Sequence, residues 1–155
     1  MKLNTKHRQQ PQAGASSRLQ NKNVLILGCG HMGALLARSI SEQGGWVTVI
    51  DRNPDAFTRL PASFSGSVME EDGMPIQMLE EAGAGSARAL AAVTDDEDVN
   101  IMWALMARIL YDIPVVLCRI KEEALQEIVE DMGIECICPV QLGTETMLNR
   151  LEASL

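Results

Sequence analysis

Three glycines stand in the spacing G-x-G-x-x-G (Gly28-Cys29-Gly30-His31-Met32-Gly33), and an acid, Asp51, follows 23 residues after the first of them. These residue types suit the binding of a phosphate-bearing ribonucleotide. Gly28 lets the chain turn sharply, Gly30 leaves room for a pyrophosphate to approach the backbone, and Gly33 lets a helix pack closely on a strand. The start of that helix offers free N–H groups and the positive end of its dipole to phosphate. The Asp51 carboxylate is placed to accept hydrogen bonds from ribose hydroxyls. It would repel a 2′-phosphate. A glycine-rich turn beside an empty pocket would carry the same three glycines, so the surrounding pattern has to decide.

That pattern is strand, turn, helix, strand. Val24 to Leu27 is a short apolar run of the kind a strand buried on both faces shows. Met32, Leu35, Leu36 and Ile40 then recur at helical spacing, and Gly44-Gly45 stops the helix. Val47, Val49 and Ile50 make a second strand that ends in Asp51. Further along, a short helix is expected at 54–60, a third strand at 63–68 and an acidic loop at 69–73. A third helix follows at 74–82 and a fourth strand at 88–93. Thr94-Asp95-Asp96-Glu97 reads as a capping box, and the helix after it places Val99, Met102, Trp103, Met106 and Leu110 on one face. Residues 113–118 make the fifth strand. Leu125, Ile128, Val129 and Met132 mark another helix, 134–138 is a sixth strand closed by Pro139, and 142–155 form a last helix. Six strands alternating with helices imply an α/β fold, a doubly wound parallel sheet of order 3-2-1-4-5-6 with a C-terminal helix.

Composition narrows the class. The chain has 155 residues, 46% hydrophobic and 22% charged, which is ordinary for one globular domain. No apolar run is long enough to span a membrane. Cys29, Cys118, Cys136 and Cys138 read as reduced, mostly buried thiols, because C-x-C is poor zinc spacing and no histidine lies near it. No metal site is expected. The acidic runs at 70–72 and 95–98 read as solvated loops and helix caps. Residues 1–22 hold five Lys/Arg and no acid, whereas 23–155 hold eight Lys/Arg against all 21 acids, a net of −13. An acidic body argues against nucleic acid. The first 22 residues read either as a disordered leader or as a contact for an acidic partner or anionic lipid.

The length bears on catalysis. The α/β unit occupies 23–139, leaving a leader and one helix over 140–155. A nicotinamide-dependent oxidoreductase would need a substrate pocket and a proton donor, usually on a second domain. No catalytic residue is expected, and that oxidoreductase is the alternative reading.

The runs VLILGCGHMG…VTVID, LEEAG, AVTDDEDVNIMWALMAR, VVLCRI and ECICPV resemble the RCK N-terminal (KTN, or TrkA-N) domain over residues 23 to about 148. The most specific part is Thr94-Asp95-Asp96-Glu97-Asp98-Val99-Asn100 followed by Ala107-Arg108. The resemblance implies a ligand-sensing regulatory subunit of a bacterial Trk/Ktr-type potassium uptake system. It implies binding of NAD(H), ATP, ADP or AMP in a cleft at the strand ends. It further implies a cytoplasmic location against the inner face of the membrane, and assembly as a homodimer or larger ring, in some cases with a second RCK subunit.

Carried over by position, Gly28, Gly30, Met32 and Gly33 belong to the phosphate loop and Asp51 is the ribose acid. His31 stands where the family often has Arg. It faces phosphate or a partner subunit, or is a solvated residue at a helix start. Arg52 lies near the adenine, and Ser67 and Val68 match the pair that borders it. Thr94 and Asp95 border the phosphates or the second ribose, and Asn100 braces their loop. Arg119 reaches phosphate or pairs with Glu122 or Glu123. The last helix, with Met147, Leu148, Leu151 and Leu155 in a stripe, either crosses to a neighbouring subunit or packs back on its own domain.

Overall fold

The computed structural model describes residues 17–155. Its centre is a six-stranded parallel sheet ordered β3-β2-β1-β4-β5-β6. The strands are β1 (Asn23–Leu27), β2 (Trp46–Asp51), β3 (Ser67–Glu70), β4 (Ala89–Ala92), β5 (Val115–Arg119) and β6 (Glu135–Ile137). The helices are α1 (His31–Glu42), α2 (Pro75–Glu81), α3 (Glu97–Tyr111), α4 (Gln126–Glu130) and α5 (Pro139–Ser154). The order is the expected one, and the chain reverses direction across the sheet between β1 and β4.

Alternation along each strand builds two cores. Val24 and Ile26 of β1 join Val47, Val49, Ala34, Ala37 and Ile40 under α1, while Leu25 and Leu27 join Ile50, Leu79, Leu90, Trp103 and Ala107 under α2 and α3. The closest approach lies between α1 and the turn after β1. A Cβ built on Gly33 would sit 1.8 Å from the Gly28 carbonyl oxygen. Only glycine allows the helix to seat there.

Several boundaries differ from the sequence reading. β3 begins at Ser67 rather than at 63, because the preceding residues form a turn in which Phe64 N donates to Pro61 O (2.9 Å) and Phe64 packs into the α1-side core. Met69 and Glu70, expected in a loop, therefore belong to the strand. The short helix at 54–60 is a 3-10 turn, Pro54–Arg59, capped by Asn53, whose side chain accepts from Asp55 N at 3.1 Å. Pro139 not only closes β6 but opens α5, at the first helical position where its missing N–H is harmless. The buried face of α3 carries Asn100, Trp103, Ala104 and Ala107, whereas Met102 and Leu110 are exposed. Counting only large apolar residues rotates the stripe; the alanines are what let the helix lie close to the sheet.

The end of the basic leader has structure. Residues 17–22 form a turn against the C-terminal end of α1, with Asn21 N donating to Gly44 O at 2.9 Å and Leu19 packed into the core. The rest of the leader lies outside the described residues. At the other terminus α5 has no buried residue, and Val140, Leu142, Met147, Leu148 and Leu151 are all exposed.

Gly33→Ala should lower unfolding free energy by about 1–3 kcal/mol, the range for overpacking a tight contact. A drop in the urea midpoint with an unchanged slope would show it. Burial also pushes the Cys118 thiol up to about 12 and the Cys136 thiol up to about 11. The unfolded chain then releases these protons at lower pH than the folded one, so stability falls as pH rises from about 9 toward 12. Urea midpoints taken across that window should decline, and Cys118→Ala should flatten the decline.

Candidate functional site

The cleft forms where β1 and β4 part at their C-terminal ends. Gly28 turns the chain out of β1 at φ +99°, and its N–H donates to Ile50 O at 2.7 Å. Cys29 is fully buried beneath the turn, and burial raises its thiol pKa, with the Asp51 charge adding to the effect and Arg59 opposing it. Gly30 is extended, and a Cβ there would meet nothing within 4 Å. Its open side is where a ligand can reach the backbone. Gly30 O accepts the first intrahelical bond, from Ala34 N at 3.0 Å. α1 has no side-chain cap and no acid in its first turn, so the positive end of the helix is left for an external anion. His31 is exposed at this end, and both His31 and Met32 line the cleft.

On one side of the turn stand Asp51, Arg52, Asn53, Arg59 and Glu71. Asp51 is already engaged. One carboxylate oxygen accepts Cys29 N at 2.7 Å and the other accepts Asn53 N at 2.8 Å. A carboxylate offers about four acceptor positions, so it braces the glycine turn and keeps capacity for ribose hydroxyls. Arg59 reaches over the turn, with Nη1 donating to Cys29 O at 3.4 Å. Glu71 N donates to Asp51 O at 2.9 Å, bringing a second acid beside the first. Burial raises the Glu71 pKa, Arg52 opposes that, and Asp51 adds to it.

On the other side stand Thr94, Asp95 and Arg119. Asn100, 1% exposed, ties their loops together. Its Oδ1 accepts Thr94 N (2.9 Å) and Thr94 Oγ1 (2.7 Å), and its Nδ2 donates to Thr94 O (3.0 Å) and Arg119 O (3.0 Å). The ends of β4 and β5 are thereby locked together. Arg119 pairs with Asp95 at 2.9 Å, not with Glu122 or Glu123 as the sequence allowed. The capping box is also differently built. Asp96 caps α3 by accepting Val99 N at 3.1 Å, while Glu97 turns the other way and accepts the N–H groups of Lys121 and Glu122. Those two hydrogen bonds, the first the larger, lower the Glu97 pKa.

The structure thus gathers Gly28, Gly30, His31, Met32, Asp51, Arg52, Thr94, Asp95 and Arg119 around one cleft of about 1240 Å³, with Gly33 packed directly behind the turn. That volume is ample for a nucleotide. Ser67 and Val68 are not among them. Register pairs Thr48 with Ser67 and Asp51 with Glu70, so Ser67 sits at the opposite end of the sheet beside Asn23, Thr48 and Ser65. The residues at the cleft end of β3 are Glu70 and Glu71. Arg59 and Glu71 were missed by sequence reasoning. The acid pair Glu70-Glu71, with Glu70 closing β3 level with Asp51, was the available signal for Glu71, and placing the strand too early concealed it. Among the described residues no group of three or more His, Cys, Asp or Glu is arranged to hold a metal.

This constellation stands at the switch point of a Rossmann-type fold. The chain belongs to the TrkA-N domain family, whose model matches residues 24–139. It is 36% identical over 129 residues to a Trk system potassium uptake protein TrkA from Streptomyces coelicolor, covering 83% of this chain and 58% of that protein. It is 31% identical over 109 residues to a TrkA homolog from Pyrococcus horikoshii, covering 70% and 48%. The chain spans about half the length of these curated relatives. Among solved structures, the TrkA-N domain of the inner membrane protein ybaL from Escherichia coli superposes with TM-score 0.72 at 16% identity, over 87% of this chain and 99% of that one. GsuK bound to ADP gives 0.72 at 21%, over 90% and 36%, and the GsuK channel bound to NAD gives 0.72 at 22%, over 86% and 24%. At these identities the structural likeness concerns the fold.

Asn100→Ala should cost about 1–3 kcal/mol, because it removes four hydrogen bonds and leaves the Thr94 N–H without its acceptor. Thermal unfolding of the variant against the wild type measures it, and near-unchanged far-UV dichroism is expected.

Proposed function

We propose that this chain is the nucleotide-sensing part of a regulatory subunit that controls a bacterial membrane potassium transporter or channel. Its ligand is NAD(H) or an adenine nucleotide (ATP, ADP or AMP). The observation that carries the reading is the open backbone at Gly30 beneath an uncapped helix N-terminus, flanked by Asp51 on one side and Arg119 on the other. Ribose is held at Asp51, phosphates cross the start of α1, and the remainder of the ligand meets Thr94, Asp95 and Arg119. Two acids, Asp51 and Glu71, disfavour a 2′-phosphate at the ribose end.

No chemical turnover is needed. A ligand that binds one arrangement of the subunits better than another shifts their equilibrium, and that differential affinity is the signal. Membership of the TrkA-N family and the naming of the relatives as Trk potassium uptake proteins support a transporter partner. The GsuK structures with NAD and with ADP support the ligand class. We place the domain at the cytoplasmic face of the membrane. Among the described residues no helix is long and apolar enough to cross a membrane. The apolar residues exposed along α5 suit assembly with a second RCK subunit or a second copy.

Calorimetric titration with NADH, NAD, NADPH, ATP, ADP and AMP tests the reading. Wild type should bind at least one ligand without a 2′-phosphate more tightly than NADPH. Gly30→Val should abolish that binding while leaving the melting temperature nearly unchanged, since a side chain there meets open space. Gly30→Val is a cleaner test than removing Asp51, which would also loosen the turn. Retained affinity in Gly30→Val would move the ligand elsewhere.

A further inference from the structure

We propose that Asp95 and Arg119 form a ligand selector. A terminal phosphate of a nucleoside di- or triphosphate takes Arg119 away from Asp95, whereas the second ribose of a dinucleotide is held by Asp95. This rests on the nucleotide reading above and adds which end group each residue recognises.

The position follows from strand order. Asp51 ends β2, the glycine turn follows β1, Thr94 and Asp95 follow β4, and Arg119 ends β5, with β1 and β4 lying between β2 and β5. Arg119 therefore stands across the turn from the ribose acid. It is also close to the turn. Thr94 N lies 3.0 Å from where a Gly28 Cβ would be, and Arg119 Nη1 donates to Thr94 O at 3.3 Å and to Asp95 Oδ1 at 2.9 Å.

The pair is unequal. The Arg119 side chain is 24% exposed and that of Asp95 95% exposed. The guanidinium is held by its surroundings, and its backbone by Asn100; the carboxylate reaches it from solvent. Such a pair is weak and is readily replaced by a better anion. Arg119 Nε is buried without an acceptor, so the guanidinium has donor capacity that the protein does not use. A phosphate brings more charge and more acceptor oxygens than a carboxylate, in a geometry that suits the guanidinium fork. A ribose brings neutral hydroxyls, which donate to a carboxylate and accept from a guanidinium more weakly than a charged phosphate does. Removing the Asp95 charge therefore acts in opposite directions on the two ligand classes.

Titration of the full chain with ATP and with NADH tests this. Asp95→Asn should tighten ATP roughly two- to fivefold and weaken NADH by a similar factor, the scale set by one exposed ion pair. Asp98→Asn removes another acid that lines the cleft but does not pair with Arg119. It should leave the ratio of the two dissociation constants unchanged. The ATP gain should vanish in an Arg119→Gln background. If wild type binds only one of the two, the sign of the Asp95→Asn effect on that ligand decides. An unchanged ratio in Asp95→Asn, an equal shift in Asp98→Asn, or a gain that persists without Arg119 overturns the selector. If Arg119→Gln does not fold, the Asp95 and Asp98 variants decide alone. Binding that Gly30→Val abolishes but Asp95→Asn leaves untouched sinks the selector and spares the nucleotide reading. A wild type that binds neither ATP nor NADH overturns the selector, and one that binds none of NADH, NAD, ATP, ADP and AMP sinks the nucleotide reading as well.

Discussion

The approach of α1 to the end of β1 governs the rest of the molecule. With Gly33 against the Gly28 carbonyl, the helix axis points its N-terminus over the gap between β1 and β4. Any side chain at 33 would push the helix outward and take its dipole and free N–H groups from the cleft. The same contact sets the depth of the α1-side core, where Ala34 and Ala37 lie against Val24, Ile26 and Val49. Helix packing and the presentation of a free helix N-terminus to the cleft are thus one constraint.

Around that contact the loops are held by side chains that accept from backbone N–H groups. Asp51 takes those of Cys29 and Asn53, Asn100 that of Thr94, and Glu97 those of Lys121 and Glu122. Asp51 joins the end of β2 to the loop after β1, and Asn100 and Glu97 join the start of α3 to the ends and loops of β4 and β5. The cleft is therefore preorganised, and a ligand need not order its walls, a saving that raises affinity without new contacts. The network also links the ligand site to α3 through Asn100 and to the α4 approach through Glu97. The same two helices carry exposed apolar residues, Ile109, Leu110 and Ile128.

Charge is distributed with the same logic. The acidic body would repel a polyanionic ligand, yet the cleft sets Arg52, Arg59, Arg119 and Lys121 among its acids. Local cations beside a helix N-terminus outweigh a distant net charge, because screening removes the far contributions within about 10 Å at ordinary salt. Among these cations Arg119 is answered by Asp95 and by the Thr94 carbonyl, and Arg59 by the Cys29 carbonyl.

Much of this was legible in the residue order. The glycine spacing, the apolar runs and the helix stops specify the six strands, their parallel order and the glycine turn, because these depend on short-range periodicity and on turns that only glycine makes. Asp51, Thr94, Asp95 and Arg119 were legible for the same reason, since each directly follows or ends a strand. Relations between strands were not legible. The register of β3 on β2 puts Ser67 at the far end of the sheet and Val68 beside Val49 in mid-strand, and brings Glu71 to the cleft in their place. The partner of Arg119, the role of Glu97 and the buried face of α3 likewise depend on neighbours from distant parts of the chain. Local pattern sets which residues stand at a strand end, but one slip of register, or one small residue that draws a helix closer, decides what those residues meet.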